Sequence, residues 1–277
     1  MRASLALLWT WPKRVKGNKD KVKAPDHFRL FIFNRSDKDL STIYFIRHAQ
    51  AGPRDNYDLL SELGCKQAQL LGEHLARRGV KLSAIYSGGM RRQIETAEIA
   101  RSVLVGAKLS PSEITTDERW NEFSLADVYR GIVQRMIDDD AEFARDFDEM
   151  KEALARDPHT TRGATGRCDI AIMRAWIESR YPDYEGESWA AFRARIAECA
   201  SDLSNHNHDE TVAVFTSATP IAIVTASALA LAEEKLLSIL GVLYNSNITT
   251  MRARNGELRL FTLNETPHLP DSLRTFR

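Results

Sequence analysis

The sequence predicts an α/β domain in which a mostly parallel sheet is flanked by helices and carries an inserted helical cap. From Ser41 onward, short apolar strand segments alternate with amphipathic helical segments, a pattern typical of parallel sheets covered by helices. Between about residues 125 and 185 this alternation stops, and the chain becomes charged and helix-prone. We therefore expect one domain over residues 41–277, with the cap inserted at about 125–185. The alternative for this segment is a second small helical packing unit.

Short runs of β-branched and aromatic residues predict three buried strands, at residues 42–46, 84–86 and 211–215. The pair Asn255–Gly256 predicts a closing hairpin, because this dipeptide favours the tight turns that connect antiparallel strands. The two strands of that hairpin are expected over residues 247–252 and 257–263.

Helical segments follow these strands. Apolar residues spaced for one face predict a helix over residues 61–78, and Gly79 is the residue type that commonly ends helices. A second helix is predicted through Thr96 and Val103. Pro220 is expected as the first residue of the helix after the strand at 211–215, because the first helical N–H has no intrahelical acceptor.

Composition and charge limit the partners that the protein can bind. The chain has 277 residues, 43% hydrophobic and 27% charged, and its net charge is zero. It therefore has no global basic field to attract nucleic acid. No apolar run approaches the roughly 20 residues that a membrane span needs. The three cysteines are scattered and form no Cys-x-x-Cys pair, which argues against disulfides or a zinc site and favours a reducing, cytoplasmic compartment.

Residues 1–40 differ from the rest of the chain. The short apolar stretch Ala3–Trp11 is followed by a run of lysines and arginines. A secretory signal has the opposite order, with the charge before the apolar core. We therefore expect a disordered basic leader rather than a signal or an anchor. Phe28–Phe33 has the composition of an additional edge strand.

Charged and polar groups follow successive predicted strands. Arg47 and His48 come directly after the first strand, Ser87–Arg92 after the second, and Glu122 after a third. The polar run Phe215–Ile221 closes the strand at 211–215. Because ligands of open α/β sheets bind beyond the carboxyl ends of the strands, we expect these groups to share one site.

In this order and spacing the segments resemble the histidine phosphatase superfamily, which includes cofactor-dependent phosphoglycerate mutases and many small phosphatases. The resemblance extends from about Ser41 to Leu263, and the cap matches only loosely. The segments that carry it are Tyr44–Ala49, Leu60–Ala68, Ile85–Ser87 with Arg92 and Thr96–Ala97, Glu122, Gly186–Ser188 with Arg193 or Arg195, and Asn245–Thr249.

The resemblance implies a role for each polar residue. His48 would attack phosphorus and become a transient phosphohistidine, for which a neutral imidazole needs a fixed tautomer. Arg47 and Arg92 would bind the phosphoryl oxygens, because guanidinium groups match phosphate bidentately; Arg91 competes, but the family spacing favours Arg92. Glu122 would protonate the leaving oxygen and later deprotonate water. No metal or other cofactor is implied, since the arginines supply the positive charge.

One position departs from the family pattern. Members place a second histidine just after the fourth strand, where alignment on Pro220–Ile221 puts Ser217. A charge-assisted hydrogen bond contributes about 1.5–3 kcal/mol, so its loss in the transition state would cost roughly ten- to several hundred-fold in rate. The hydroxyls of Thr216, Ser217 and Thr219 and the backbone N–H groups near Ala218 are expected to replace it in part.

Other histidines are poor substitutes for the missing one. His206 and His208 precede the strand at 211–215, and six strand residues at about 3.3 Å each would hold them some 20 Å from its far end. They read better as a polar surface turn, and without further ligands they predict no metal site. His159 lies in the expected cap.

Three functions are compatible with these residues. The favoured one is hydrolysis of a phosphomonoester, on a small molecule or a phosphoprotein, through phospho-His48. A phosphoryl-binding or adaptor protein with impaired catalysis is the alternative, because Ser217 removes one donor. A phosphoglycerate mutase is disfavoured, because the run Ala49–Arg54 lacks the Gly-Glu-Thr and the asparagine that follow Arg-His in mutases.

Overall fold

The computed structural model describes residues 40–52, 57–157, 160, 162–205 and 209–276. The expected leader, apart from residue 40, and the histidines at 159, 206 and 208 lie outside these residues. Within the described ranges, no helix is long and apolar enough to cross a bilayer.

In the part of the chain that the structure describes, six strands form the sheet: β1 (Ser41–Arg47), β2 (Ala84–Ser87), β3 (Thr115–Thr116), β4 (Thr211–Thr216), β5 (Ile248–Arg254) and β6 (Glu257–Glu265). Their order across the sheet is β3-β2-β4-β1-β5-β6. The strands β3, β2, β4 and β1 run parallel, whereas β5 and β6 form the antiparallel hairpin at one edge. The predicted mostly parallel sheet and its closing hairpin are confirmed.

The two central strands bring the site residues together. Arg47 of β1 pairs with Thr216 of β4, so the next residues, His48 and Ser217, leave the sheet side by side. The His48 N–H donates to the Thr216 carbonyl oxygen at 2.8 Å and continues the ladder by one bond. Almost every residue of the two strands is buried, as expected for a sheet covered on both faces.

Among the described residues, eight α-helices accompany the sheet: α1 (Glu62–Arg77), α2 (Arg91–Gly106), α3 (Leu125–Asp139), α4 (Ala141–Arg156), α5 (Ala164–Ile177), α6 (Trp189–Ser204), α7 (Ala218–Ala228) and α8 (Leu236–Leu240). Helices α1 and α2 cover one face, where Leu71 and Leu104 pack with Ile46 of β1. On the other face, α6 and α7 enclose Phe45 in the larger core.

Local chemistry explains where these helices begin. The Ser61 hydroxyl accepts the Gly64 N–H at 3.0 Å and caps α1. Pro220 is the third residue of α7 rather than the first, so the predicted position was wrong by two residues. The helix α7 begins earlier because Ser217, which directly follows β4, already serves as the N-cap of α7. The first-turn N–H groups have no intrahelical acceptor, so proline is tolerated there as well.

Three helices, α3 to α5, lie within the segment expected to form the cap. They pack on each other through Ile132, Met150 and Cys168, and this cluster is continuous with the larger core. Phe123 stacks on Trp176 of α5 with ring centroids 4.6 Å apart. The three helices are therefore anchored directly beside Glu122.

Candidate active site

His48 is held as a neutral imidazole with one nitrogen available for chemistry. Its side chain is buried, and Nδ1 lies 2.8 Å from the Ala49 carbonyl oxygen. A carbonyl only accepts, so Nδ1 carries the proton and Nε2 presents a lone pair. Burial, with the charges of Arg92 and Arg47, holds the pKa of His48 well below its usual value. This is the protonation state that a nucleophilic histidine needs.

Arg92, the second residue of α2, lies against this histidine. Its Nε–H donates to His48 Nε2 at 3.2 Å, and its Nη1 pairs with Asp58 at 3.0 Å. The guanidinium carbon also lies 4.9 Å from the centre of the Tyr57 ring. Arg91, by contrast, has a side chain 66% exposed and pairs with Glu95. The structure therefore brings Arg92, and not Arg91, to His48.

Asp58 and Tyr57 were not predicted as site residues. The Asp58 side chain is 51% exposed and occupies a guanidinium edge that an anion would also use. The Tyr57 ring meets the His48 ring edge-on at 6.4 Å. Their approach to the site is a long-range contact with the start of α2, and no local pattern signals it.

Arg47 is buried beneath the site, and part of its guanidinium is already occupied. Its Nη1 donates to the carbonyl oxygens of Leu243 at 2.5 Å and Phe276 at 3.0 Å. It also interacts with the Tyr57 hydroxyl. In the part of the chain that the structure describes, its Nε has no hydrogen-bond partner. The Nη1 group of Arg47 is therefore already used, and the binding of phosphoryl oxygens by this arginine stays a prediction.

Glu122 is placed at the N-terminus of α7. Its Oε2 accepts the Thr219 N–H at 3.1 Å, and its Oε1 accepts the Phe123 N–H at 3.2 Å. Burial raises the pKa of Glu122, although the Thr219 hydrogen bonds and the charge of Arg92 act against that rise. A raised pKa suits a carboxyl group that gives and takes protons. The helix N–H group expected to bind an anion thus binds this carboxylate.

Thr216 and Ser217 have different surroundings. The Thr216 hydroxyl donates to the Trp120 carbonyl oxygen at 2.6 Å, so its single proton is not available to a phosphoryl group. The phosphate-binding role of Thr216 stays a prediction, and it would require this hydroxyl to leave the Trp120 carbonyl. The buried Ser217 Oγ accepts a hydrogen bond from Gln93 Nε2 at 2.8 Å. Gln93 was missed, because nothing in its sequence position beside Arg92 marks it as a site residue.

A cleft of about 480 Å³ opens beside Glu122. Its lining includes Phe123 and Ser124 before α3, Asp127 of α3, and Tyr184 between α5 and α6. The cleft is therefore a path by which a substrate can reach Glu122. In the described ranges, no group of three or more His, Cys, Asp or Glu side chains is arranged to hold a metal ion.

The six-stranded, mostly parallel sheet flanked by helices has the phosphoglycerate mutase-like α/β fold. The chain belongs to branch 1 of the histidine phosphatase superfamily, whose sequence profile matches residues 43–182 and 169–266. The superfamily and the structural neighbours of the chain include phosphatases.

Individual relatives match this chain over only part of its length or at low sequence identity. The mouse mitochondrial serine/threonine-protein phosphatase PGAM5 is 30% identical over 120 residues, which cover 42% of this chain and 38% of that protein. The chain thus matches less than half the length of this relative. YhfR of Bacillus stearothermophilus has a TM-score of 0.57 at 21% identity, covering 82% of this chain and 98% of its own. Phosphoserine phosphatase of Entamoeba histolytica, solved with phosphoserine, has a TM-score of 0.54 at 19% identity, covering 83% and 100%. At these identities the two structures establish the fold alone.

Proposed function

We propose that the protein hydrolyses phosphomonoesters through a phosphohistidine intermediate on His48. The observation that carries the proposal is the state of this imidazole: Nδ1 donates to the Ala49 carbonyl, and the unprotonated Nε2 faces Arg92. An in-line attack on phosphorus requires a lone pair at Nε2 and a positive charge beside the phosphoryl oxygens. His48 supplies the lone pair and Arg92 supplies the positive charge, and one hydrogen bond joins the two side chains.

The first half-reaction begins when a phosphoryl group takes the guanidinium of Arg92 away from Nε2. The lone pair of His48 is then free, the Nε2–P bond forms, and the bond from phosphorus to the ester oxygen breaks. Glu122, with its raised pKa, gives its proton to the departing oxygen. The products of this step are an alcohol, phospho-His48 and the carboxylate form of Glu122.

In the second half-reaction the same groups work in the opposite direction. Water attacks phosphorus while the Glu122 carboxylate takes its proton, and the Nε2–P bond breaks. Inorganic phosphate then leaves, and Arg92 returns to Nε2. Each turnover therefore restores the protonation states of His48 and Glu122, and no metal or redox partner is needed.

The proposed substrate is a phosphate ester of an alcohol, on a small molecule or a protein. Two relatives support this class, because one is named a serine/threonine-protein phosphatase and another was solved with phosphoserine. The cleft of about 480 Å³ beside Glu122 would hold the alcohol portion. We place the reaction in a reducing, cytoplasmic compartment, a proposal that the free thiols of Cys65, Cys168 and Cys199 support.

Turnover of p-nitrophenyl phosphate, free phosphoserine and a phosphoserine peptide by wild type, His48→Ala and the control His74→Ala tests the proposal. Hydrolysis should disappear in His48→Ala and persist in His74→Ala, which replaces a histidine on α1 outside the site. Wild type quenched with alkaline detergent should carry a phosphoryl group that is stable to alkali and labile to acid, and His48→Ala should lack it. Wild-type turnover no higher than that of His48→Ala on all three substrates would refute the proposal.

A phosphoryl-binding protein without turnover is the second candidate. Ser217 favours it, because this position holds a neutral hydroxyl where the family resemblance implies a histidine. Such a protein would bind inorganic phosphate in a calorimeter, would lose that binding in Arg92→Ala, and would yield no trapped phosphoenzyme.

A further inference from the structure

Gln93 fills the space beside Ser217 and makes three hydrogen bonds there. Its side chain is fully buried. Its Nε2 lies 2.8 Å from Ser217 Oγ and 3.4 Å from the Trp120 carbonyl oxygen, and its Oε1 lies 3.4 Å from the Met90 backbone nitrogen. Three segments that are distant in sequence therefore meet at this amide.

The neighbours of the amide fix which way it points. The Met90 N–H can only donate, so it requires the Gln93 oxygen. The Trp120 carbonyl can only accept, so it requires the Gln93 nitrogen. With the amide held in this orientation, the group that faces Ser217 is an N–H donor. Ser217 Oγ must then act as the acceptor.

This constraint determines what the Ser217 hydroxyl has left to offer. Because its oxygen accepts the Gln93 N–H, its own hydrogen must point elsewhere, and no described residue accepts it. Ser217 follows Thr216, whose backbone pairs with Arg47, so it leaves the sheet beside His48. The hydrogen that remains therefore belongs to a residue that leaves the sheet next to His48, beside the proposed phosphoryl site.

We propose that Gln93 positions the Ser217 hydroxyl to donate to a phosphoryl oxygen, and that this pair replaces the second histidine of the family. The inference rests on the proposed phosphoryl chemistry at His48 and adds to it a positioning residue. Accepting a hydrogen bond polarises the serine O–H, which makes it a better donor than an isolated hydroxyl. Gln93 itself need not touch the substrate.

The backbone at Gly88 is shaped around this glutamine. A Cβ atom at Gly88 would lie 2.0 Å from Gln93 Oε1 and 2.9 Å from Asn121 Oδ1. Any larger residue at this position would therefore push the amide away from Ser217. Gly88→Ala consequently offers a second way to disturb the pair without replacing Gln93 or Ser217.

A double-mutant cycle with p-nitrophenyl phosphate tests the proposal, using wild type, Gln93→Leu, Ser217→Ala and the double variant. Leucine has nearly the volume of glutamine and lacks the N–H. Gln93→Leu should lower kcat/KM by about fivefold, mainly through kcat, because the serine bond strengthens as charge develops on the phosphoryl oxygens. In the Ser217→Ala background the same change should cost less than about twofold. An equal loss in both backgrounds would overturn the proposal.

Two further variants separate positioning from folding. Gln67 is another buried glutamine, bonded to Gln50 and Leu273 instead of Ser217, and Gln67→Leu should show no coupling to Ser217→Ala. Gly88→Ala should reproduce the loss seen in Gln93→Leu and should likewise lose its effect when Ser217 is alanine. If Gly88→Ala acts equally in both backgrounds, its effect is on the fold, and the proposal loses this support.

The same cycle measured as orthovanadate affinity by calorimetry distinguishes the two possible failures. One outcome is coupling between Gln93 and Ser217 in the vanadate Kd, together with wild-type turnover no higher than that of His48→Ala. This outcome would refute hydrolysis and would retain the pair as a hydrogen-bond donor to an anion. Turnover that depends on His48, with additive effects in both kcat/KM and Kd, would refute the pair and retain hydrolysis.

Discussion

Replacing Arg92 by lysine separates the geometry of its guanidinium from its charge. In the structure the guanidinium donates to His48 Nε2 at 3.2 Å, pairs with Asp58 at 3.0 Å and lies 4.9 Å from the centre of the Tyr57 ring. A lysine ammonium keeps the charge but has no planar fork, so it cannot hold two phosphoryl oxygens in the same way. The variant therefore loses about one charge-assisted hydrogen bond in the transition state.

That hydrogen bond is worth about 1.5–3 kcal/mol, so Arg92→Lys should lower kcat/KM for p-nitrophenyl phosphate by roughly ten- to 150-fold. Arg91→Lys is the matched control, because the Arg91 side chain is 66% exposed and pairs with Glu95. Such an exposed pair contributes at most about 0.5 kcal/mol, so the control should change kcat/KM by less than about threefold. Steady-state kinetics of both variants, with thermal unfolding to show that each is folded, give the comparison. Equal effects of the two substitutions would refute the assignment of Arg92 to the phosphoryl site.

Three other outcomes follow from the same geometry. Activity needs neutral His48 and protonated Glu122, and burial lowers the pKa of His48 and raises the pKa of Glu122. The value of kcat/KM should therefore fall as the pH rises through the Glu122 pKa. If Glu122→Gln shows the same fall at alkaline pH, Glu122 is not the group responsible. Asp58→Asn frees an edge of Arg92 and should tighten inorganic phosphate binding about two- to fivefold by calorimetry, whereas weaker binding would show that Asp58 assists the anion. Burial lowers the pKa of His268 to about 4 in the folded protein, whereas the unfolded chain binds a proton at this imidazole below about pH 6.5. The free energy of unfolding therefore decreases as the pH falls from about 6.5 to 4. Between pH 7 and pH 5, His268→Gln should therefore lose about 2 kcal/mol less of its free energy of unfolding than wild type in denaturant titrations, and parallel losses would exclude the effect.

The sheet was predictable because its signals are local. The runs at 42–46, 84–86 and 211–215 are too short and too apolar for exposed helices, and the observed strands extend them by at most one residue at either end. Asn255 and Gly256 both have positive φ in the hairpin turn, the conformation that this dipeptide adopts readily. The order of such elements along the chain was enough to predict the fold.

The site was predictable only as a set of strand ends. That His48 and Ser217 lie side by side follows from parallel pairing of their strands, and the sequence indicates both strands. The direction in which each side chain points depends on tertiary contacts that no local pattern records. Arg47 is turned partly toward the carbonyls of Leu243 and Phe276, and Gln93 meets Trp120 only after the strands have assembled.

The carbonyl acceptors of Arg47 have a consequence for how the protein is made. Leu243 and Phe276 lie 196 and 229 residues further along the chain than the arginine they hold. At about 5–20 residues per second, the ribosome would need roughly 11–46 s to reach Phe276 after incorporating Arg47. During that interval β1 also waits for β4, since Thr42 pairs with Thr211. A nascent chain thus carries its nucleophile long before the site around it can assemble, so unfinished chains should be silent in any assay of phosphoryl transfer.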